Sequence, residues 1–144
     1  MPSLKGNIVD LINELNTKAF DVLRDTFGYS SYKYEQKEII ETVLSENHTL
    51  AIMPTGAGKS LCYQIPAIIS SKKTIIISPL ISLMDDQISA LKECGVQAEK
   101  IHSDLSYSER ITSWKNFKSG NAKIIYMSPE KLMTENLNNS YPFK

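Results

Sequence analysis

The stretch Met53-Pro-Thr-Gly-Ala-Gly-Lys-Ser60 limits what this chain can fold into more than any other. Before it lies Thr49-Leu-Ala-Ile-Met53, short and apolar, which reads as a buried strand. After it lies Leu61-Cys-Tyr-Gln-Ile-Pro-Ala-Ile-Ile69, an apolar run with helical spacing. A glycine-rich loop between a strand and a helix is the setting that a phosphate-binding loop requires. Gly56 and Gly58 carry no Cβ, so the backbone can turn with positive φ and approach a ligand closely. Successive N–H groups then form an anion-binding concavity at the positive end of the helix dipole. Lys59 is placed to reach terminal phosphates, and the Ser60 hydroxyl to ligate Mg²⁺. The plainer alternative is a glycine-rich turn ahead of a core helix, and the strand–loop–helix context weighs against it. The general pattern opens with glycine. Met53 stands there instead, which argues against a generic kinase or GTPase.

Around this loop the apolar spacing sets out the remaining elements. Leu4, Ile8, Leu11, Ile12 and Leu15, then Phe20, Leu23 and Phe27, recur at helical intervals. They predict two short helices, or one broken near Asn16-Thr17, with Asp10, Glu14, Asp21 and Asp25 on a solvated face and Gly28 as the stop. Tyr29 to Glu35 forms a polar, aromatic connector. Gln36 opens a helix with Ile39, Ile40, Val43 and Leu44 on one side, ending near Asn47-His48. Pro66 falls inside the helix after the loop, where an interior proline costs about 3 kcal/mol, so a kink or restart is expected. Thr74-Ile-Ile-Ile-Ser78 is a continuous apolar run and predicts a strand covered on both faces. Ser82–Cys94 reads as a helix stopped by Gly95, and Glu99–His102 as a short strand. Ser106-Tyr-Ser-Glu109 has the spacing of a capping box. It opens a helix carrying Ile111, Trp114 and Phe117 and closed by Gly120, with Trp114 assigned to the core. Lys123–Met127 is another strand. Ser128-Pro-Glu starts a last helix, with Pro129 where a missing N–H does no harm.

The alternation after residue 48 is βαβαβαβα. It predicts an α/β fold, a parallel β-sheet with helices on both faces and right-handed crossovers, preceded by short N-terminal helices. Ligands bind at the C-terminal ends of such strands. The phosphate loop, Ser78-Pro79, His102-Ser103 and Ser128-Pro129 are all expected along one sheet edge.

The 144 residues suffice for one domain with a real core. Sixteen Lys+Arg balance sixteen Asp+Glu, so no chain-wide basic field attracts nucleic acid. Any such contact must be local, from helix N-termini, hydroxyls and a few cations. Cys62 and Cys94 lack metal-ligand spacing and read as small buried hydrophobes in a reducing compartment. His48 and His102 are isolated and receive no role. Neither a signal peptide nor a membrane-length apolar run is seen, so a soluble intracellular protein is expected.

Four ordered blocks resemble the RecQ-type DNA helicases of helicase superfamily 2, over roughly residues 20–135. Phe27-Gly-Tyr-Ser-Ser-Tyr-Lys-Tyr-Glu-Gln36 is similar to that family's F-G-Y-x-x-F-R-x-x-Q. Met53 to Ala67 is similar to M-P-T-G-x-G-K-S-L-C-Y-Q-x-P-A, which accounts for Met53. Ser78-Pro-Leu-Ile-Ser-Leu-Met-Asp-Asp-Gln87 is similar to S-P-L-x-S-L-M-x-D-Q, and Tyr126-Met-Ser-Pro-Glu-Lys-Leu132 to Y-x-x-P-E-R-L. The resemblance implies an incomplete RecA-like lobe over 27–144, after a helical segment at 1–26. It implies ATP and Mg²⁺ as cofactors, held by Tyr29, Lys33, Gln36 and the loop residues Met53, Pro54, Thr55, Gly56, Ala57, Gly58, Lys59 and Ser60. It implies Lys59 as the catalytic residue and Ser60 as the metal ligand. Tyr29 would stack on adenine, a contact worth about 1–3 kcal/mol, and Gln36 would bond its edge. Lys33 stands where the family has Arg, and keeps the charge without the planar fork. Tyr34 and Glu35 replace the usual Pro and Gly. Single-stranded DNA, at junctions or forks, would meet Ser78, Pro79, Leu80, Ser82, Ser103, Ser128 and Pro129, whose hydroxyls and helix N–H groups suit phosphate without base specificity. Ser128 reads equally well as an ordinary helix cap. Asp85, where the family often has Lys, brings negative charge near that track.

In that family an acidic D-E-x-H block stands on the next strand, and no D-E-x-H occurs in these residues. The expectation is a first lobe truncated before that block. The parent protein would be an ATP-dependent 3'-to-5' helicase acting in DNA repair and recombination. The 144 residues alone would bind nucleotide weakly and neither hydrolyse it well nor unwind DNA. Other classes stay open: a nucleotide kinase, a superfamily 2 motor acting on RNA, or a non-enzymatic remnant serving as a regulator. Base selectivity, RNA stimulation and the downstream reading frame distinguish them.

Overall fold

A computed structural model describes residues 4–134, so the part of the 27–144 expectation beyond Thr134 lies outside the described residues. The elements are α1 (Leu4–Asp25), α2 (Gln36–Leu44), α3 (Leu61–Ile69), β1 (Thr74–Ile77), α4 (Ile81–Glu93), β2 (Ala98–Ile101), α5 (Tyr107–Ser119), β3 (Ile124–Met127) and α6 (Pro129–Thr134). The described residues form two compact units, divided between Ser71 and Lys72.

The first unit is a three-helix cluster. Ala19 and Leu23 of α1, Ile40 of α2, and Leu61 and Ile65 of α3 make its buried core. The break expected near Asn16-Thr17 does not occur, and α1 runs unbroken for 22 residues. The Thr17 hydroxyl donates to the Asn13 carbonyl at 2.9 Å, four residues back. That local bond is compatible with a helix, which is why a polar pair did not end it. α3 likewise continues through Pro66 for one further turn. Pro66 is buried, so apolar packing offsets the missing donor.

The strand expected over Thr49–Met53 is absent. Leu50 and Ile52 are 89% and 90% exposed, and the only described sheet consists of β1, β3 and β2. A strand exists through its ladder partner, and none of the described strands pairs with this segment. Met53 alone turns inward, packing with Ala57 and Cys62 against Ile39.

The second unit holds a three-stranded parallel sheet in the order β1-β3-β2, flanked by helices. Central β3 is buried along its whole length, as a continuous apolar run in a parallel sheet should be. β1 was expected to be covered on both faces. It lies at an edge of this sheet, and Ile77 at its end is exposed. α5 sets Phe117 and half-buried Trp114 against Ile101, Ile125 and Met127. Met84, Ile88 and Leu91 are the buried side of α4. The capping box forms as expected. Ser106 Oγ accepts from the Glu109 N–H, and Glu109 Oε2 accepts from the Ser106 N–H at 2.7 Å. Cys62 is buried, and burial raises its thiol pKa. Cys94 is exposed, contrary to expectation, because it caps the end of α4 instead of sitting on its inner side.

Candidate functional site

The phosphate loop and the aromatic connector meet in the first unit. Gly56 and Gly58 adopt φ of +79° and +73°, the left-handed region open to residues without Cβ. The Ala57 N–H closes back on the Pro54 carbonyl at 3.2 Å. The N–H groups of Gly58 and Lys59 have no acceptor among the described residues. Lys59 is exposed. Ser60 precedes α3 with helical backbone angles and makes no side-chain cap bond. A run of unclaimed N–H groups, an exposed ammonium and an uncapped hydroxyl at a helix N-terminus form a set suited to a polyphosphate and its cation.

Gln36 ties the connector to this loop. It is 2% exposed. Its Nε2 donates to the carbonyls of Ala57 at 3.2 Å and Gly58 at 3.0 Å. Its Oε1 accepts from the Lys33 N–H at 2.8 Å. Both amide hydrogens are therefore engaged, and one acceptor lone pair remains for a ligand. Lys33 Nζ lies 5.7 Å from the centroid of the Tyr29 ring, within cation–π range, and about half of Tyr29 is exposed. Tyr29, Lys33, Gln36, Gly56 and Gly58 line one cavity of about 90 Å³ together with Ser31 and Leu61. Sequence reasoning named five of these seven. Met53 and Ala57 instead belong to a buried cluster, so those two loop residues pack and do not face the cavity. Pro54 and Thr55 are exposed. Tyr34 takes a φ of +49°, an unusual conformation for a bulky residue.

In the second unit, register aligns Ile77, Met127 and Ile101, so Ser78, Ser128 and His102 follow three neighbouring strand ends at one edge. The edge is continuous: Ser78 N–H donates to the Met127 carbonyl at 3.0 Å, and Ser128 N–H to the Ile101 carbonyl at 3.2 Å. Burial divides the predicted contacts. Pro79, Leu80, Ser82 and Ser103 are exposed, Pro129 is half-buried, and Ser78 and Ser128 are buried. Ser128 Oγ accepts from the Lys131 N–H at 3.4 Å, the long bond of a helix cap. Asp85 forms an ion pair with Lys100, which offsets the negative charge expected near this edge. Two features escaped the sequence reading. Ile77, Leu80 and Leu83 are exposed beside the serines, and His102 is buried with neither ring nitrogen bonded among the described residues. The apolar Ile77 and Leu80 on either side of Ser78-Pro79 were the available signal for the first. Nothing local marks the second.

Among the described residues, no group of three or more His, Cys, Asp or Glu side chains is arranged to hold a metal, and no helix is long and apolar enough to cross a membrane.

Comparison with known proteins adds a second line of evidence. A family model described as DEAD/DEAH box helicase matches residues 33–143. The ATP-dependent DNA helicase RecQ of Pasteurella multocida is 45% identical over 120 residues, which cover 83% of this chain and 19% of that protein. The protein of the same name from Bacillus subtilis is 45% identical over 116 residues, 80% of this chain and 20% of its own length. The RecQ-like DNA helicase blm-1 of Caenorhabditis elegans is 38% identical over 132 residues, 90% of this chain and 13% of its own. The chain thus spans about a fifth or less of the length of these relatives.

Proposed function

This chain belongs to the DEAD/DEAH box helicase family, with RecQ-type homology over about 120 residues, and from that premise we propose that it is the nucleotide-binding part of an ATP-dependent 3'-to-5' DNA helicase. The observation that carries the reading is the shared cavity of Tyr29, Lys33, Gln36, Gly56 and Gly58 beside unclaimed loop N–H groups. Tyr29 offers a stacking face to the base. The free lone pair on Gln36 Oε1 accepts from an adenine amino group and meets repulsion from the guanine O6 acceptor. The loop N–H groups and Lys59 hold the phosphates, and Ser60 ligates Mg²⁺, which when bound neutralises phosphate charge. Single-stranded DNA runs over the sheet edge of the second unit, meeting Leu80, Ser82 and Ser103 directly, with phosphate held by hydroxyls and N–H groups. Ser78, Pro79, Ser128 and Pro129 shape that edge. Hydrolysis and unwinding belong to the complete protein, which acts inside the cell on forks and junctions.

An equilibrium titration with ATP and GTP, with and without Mg²⁺, tests this. ATP is expected to bind in preference to GTP, and Lys59→Ala to abolish triphosphate binding. Equal ATP affinity in wild type and Lys59→Ala would overturn the phosphate-loop assignment.

A further inference from the structure

We infer that Gln36 is a positioning residue for the phosphate cradle as well as a contact for the base. The inference rests on the phosphate-loop reading above and deepens it. Its basis is the direction of two peptide planes. A trans peptide is planar, and its C=O and N–H point to opposite sides. Gln36 Nε2 draws the Ala57 and Gly58 carbonyls toward itself at 3.2 and 3.0 Å. The N–H groups in those same two peptide units belong to Gly58 and Lys59, and they are turned the other way. These are the N–H groups that find no acceptor among the described residues. One buried carboxamide therefore orients two successive donors outward, the arrangement that binds an anionic oxygen.

Three further observations fit. Gln36 is itself held, since its Oε1 accepts from the Lys33 N–H at 2.8 Å and the residue is buried at the start of α2. Gly58 leaves room for it, because a Cβ there would stand 2.4 Å from Gln36 Nε2. Lys33, whose backbone anchors Gln36, also sets its ammonium over the Tyr29 ring. The connector that meets the base thus reaches the loop that meets the phosphates through a single side chain.

A contact that only reads adenine and a residue that positions the cradle differ in one measurable way. Inorganic tripolyphosphate carries no base, so loss of a pure base contact leaves its affinity unchanged. Loss of a positioning residue weakens it. Tripolyphosphate is titrated into the chain and into Gln36→Ala and Gln36→Met, at a temperature where helical circular dichroism shows all three equally folded. Methionine fills the same space without donors, so it keeps the packing should alanine fail to fold. Amide hydrogen exchange at Gly58 and Lys59 is followed alongside. We expect tripolyphosphate affinity to fall about 5- to 30-fold in either variant, the scale of losing one or two buried hydrogen bonds, with altered exchange at those two amides. Wild-type affinity in a folded Gln36→Met would overturn the positioning role and leave the phosphate-loop reading intact. No binding of tripolyphosphate by folded wild type would overturn both.

Discussion

Replacing Gly58 with alanine should cost this protein more than the same change at Gly56, and the difference can be worked from the structure. Both glycines sit in the left-handed region, at φ of +73° and +79°, where an L side chain costs about 1–2 kcal/mol. That conformational cost is common to both. The surroundings differ: a Cβ on Gly56 would meet nothing within 4 Å, whereas one on Gly58 would stand 2.4 Å from Gln36 Nε2. Such a contact cannot persist, so the Gln36 amide must leave the Ala57 and Gly58 carbonyls. Two hydrogen bonds at about 0.5–1.5 kcal/mol each are then lost. The expected destabilisation is about 1–2 kcal/mol for Gly56→Ala and about 2–5 kcal/mol for Gly58→Ala. Urea denaturation followed by helical circular dichroism reads this as a shift of midpoint at constant slope. The decisive comparison is a double-mutant cycle. In a Gln36→Ala background the clash has no partner, and the two glycine substitutions should cost the same. If Gly58→Ala and Gly56→Ala are equally destabilising with Gln36 present, the Gln36 bonds to the Ala57 and Gly58 carbonyls do not hold the loop.

Other substitutions probe the second unit. Ile124→Ala removes a fully buried side chain from the central strand and should cost about 2–5 kcal/mol, while Ile77→Ala at an exposed site should change the midpoint by less than about 1 kcal/mol. Ser106→Ala opens the capping box and should cost about 0.5–2 kcal/mol, read in the same denaturation assay. The bonds from the Ser106 side chain and backbone hold the Glu109 carboxyl below its ordinary value of 4.5, with Lys100 and His102 adding to the effect. The unfolded chain therefore takes up this proton first on acidification. The stabilising contribution is whole above about pH 4.5 and fades as pH falls through the lower folded value. Glu109→Gln should flatten that acid limb, and an unchanged slope between wild type and variant would show that Glu109 does not supply it.

Several elements were legible because their signals are local. The Ser106–Glu109 capping box needs only a three-residue spacing, and it forms where that spacing stands. β3 is a run of Ile-Ile-Tyr-Met with no polar break, which fits only a strand buried on both faces. The phosphate loop needs glycines at two places where φ turns positive, and both are there. Four ordered blocks also carried the family, since each combines several residue types at fixed spacing.

Other properties depend on what lies across space. Thr49–Met53 has the composition of a strand, but composition supplies no ladder partner, and among the described residues the segment pairs with no strand and Leu50 and Ile52 are exposed. Ser128 could cap or contact a ligand on sequence grounds, and its burial with Oγ turned to the Lys131 N–H shows the cap. Gln36 reads in sequence as the residue that opens a helix and, by resemblance, as a contact for adenine, with no sign that it grips the loop. Its side chain is buried because the loop it grips lies 21 and 22 residues away in the chain. The sequence by itself determined the residue types, turns and caps, since those energies act within a few positions. Only tertiary structure decided which strand found a partner and which polar side chain was buried, since hydrogen bonds and burial are settled by neighbours that no local pattern names.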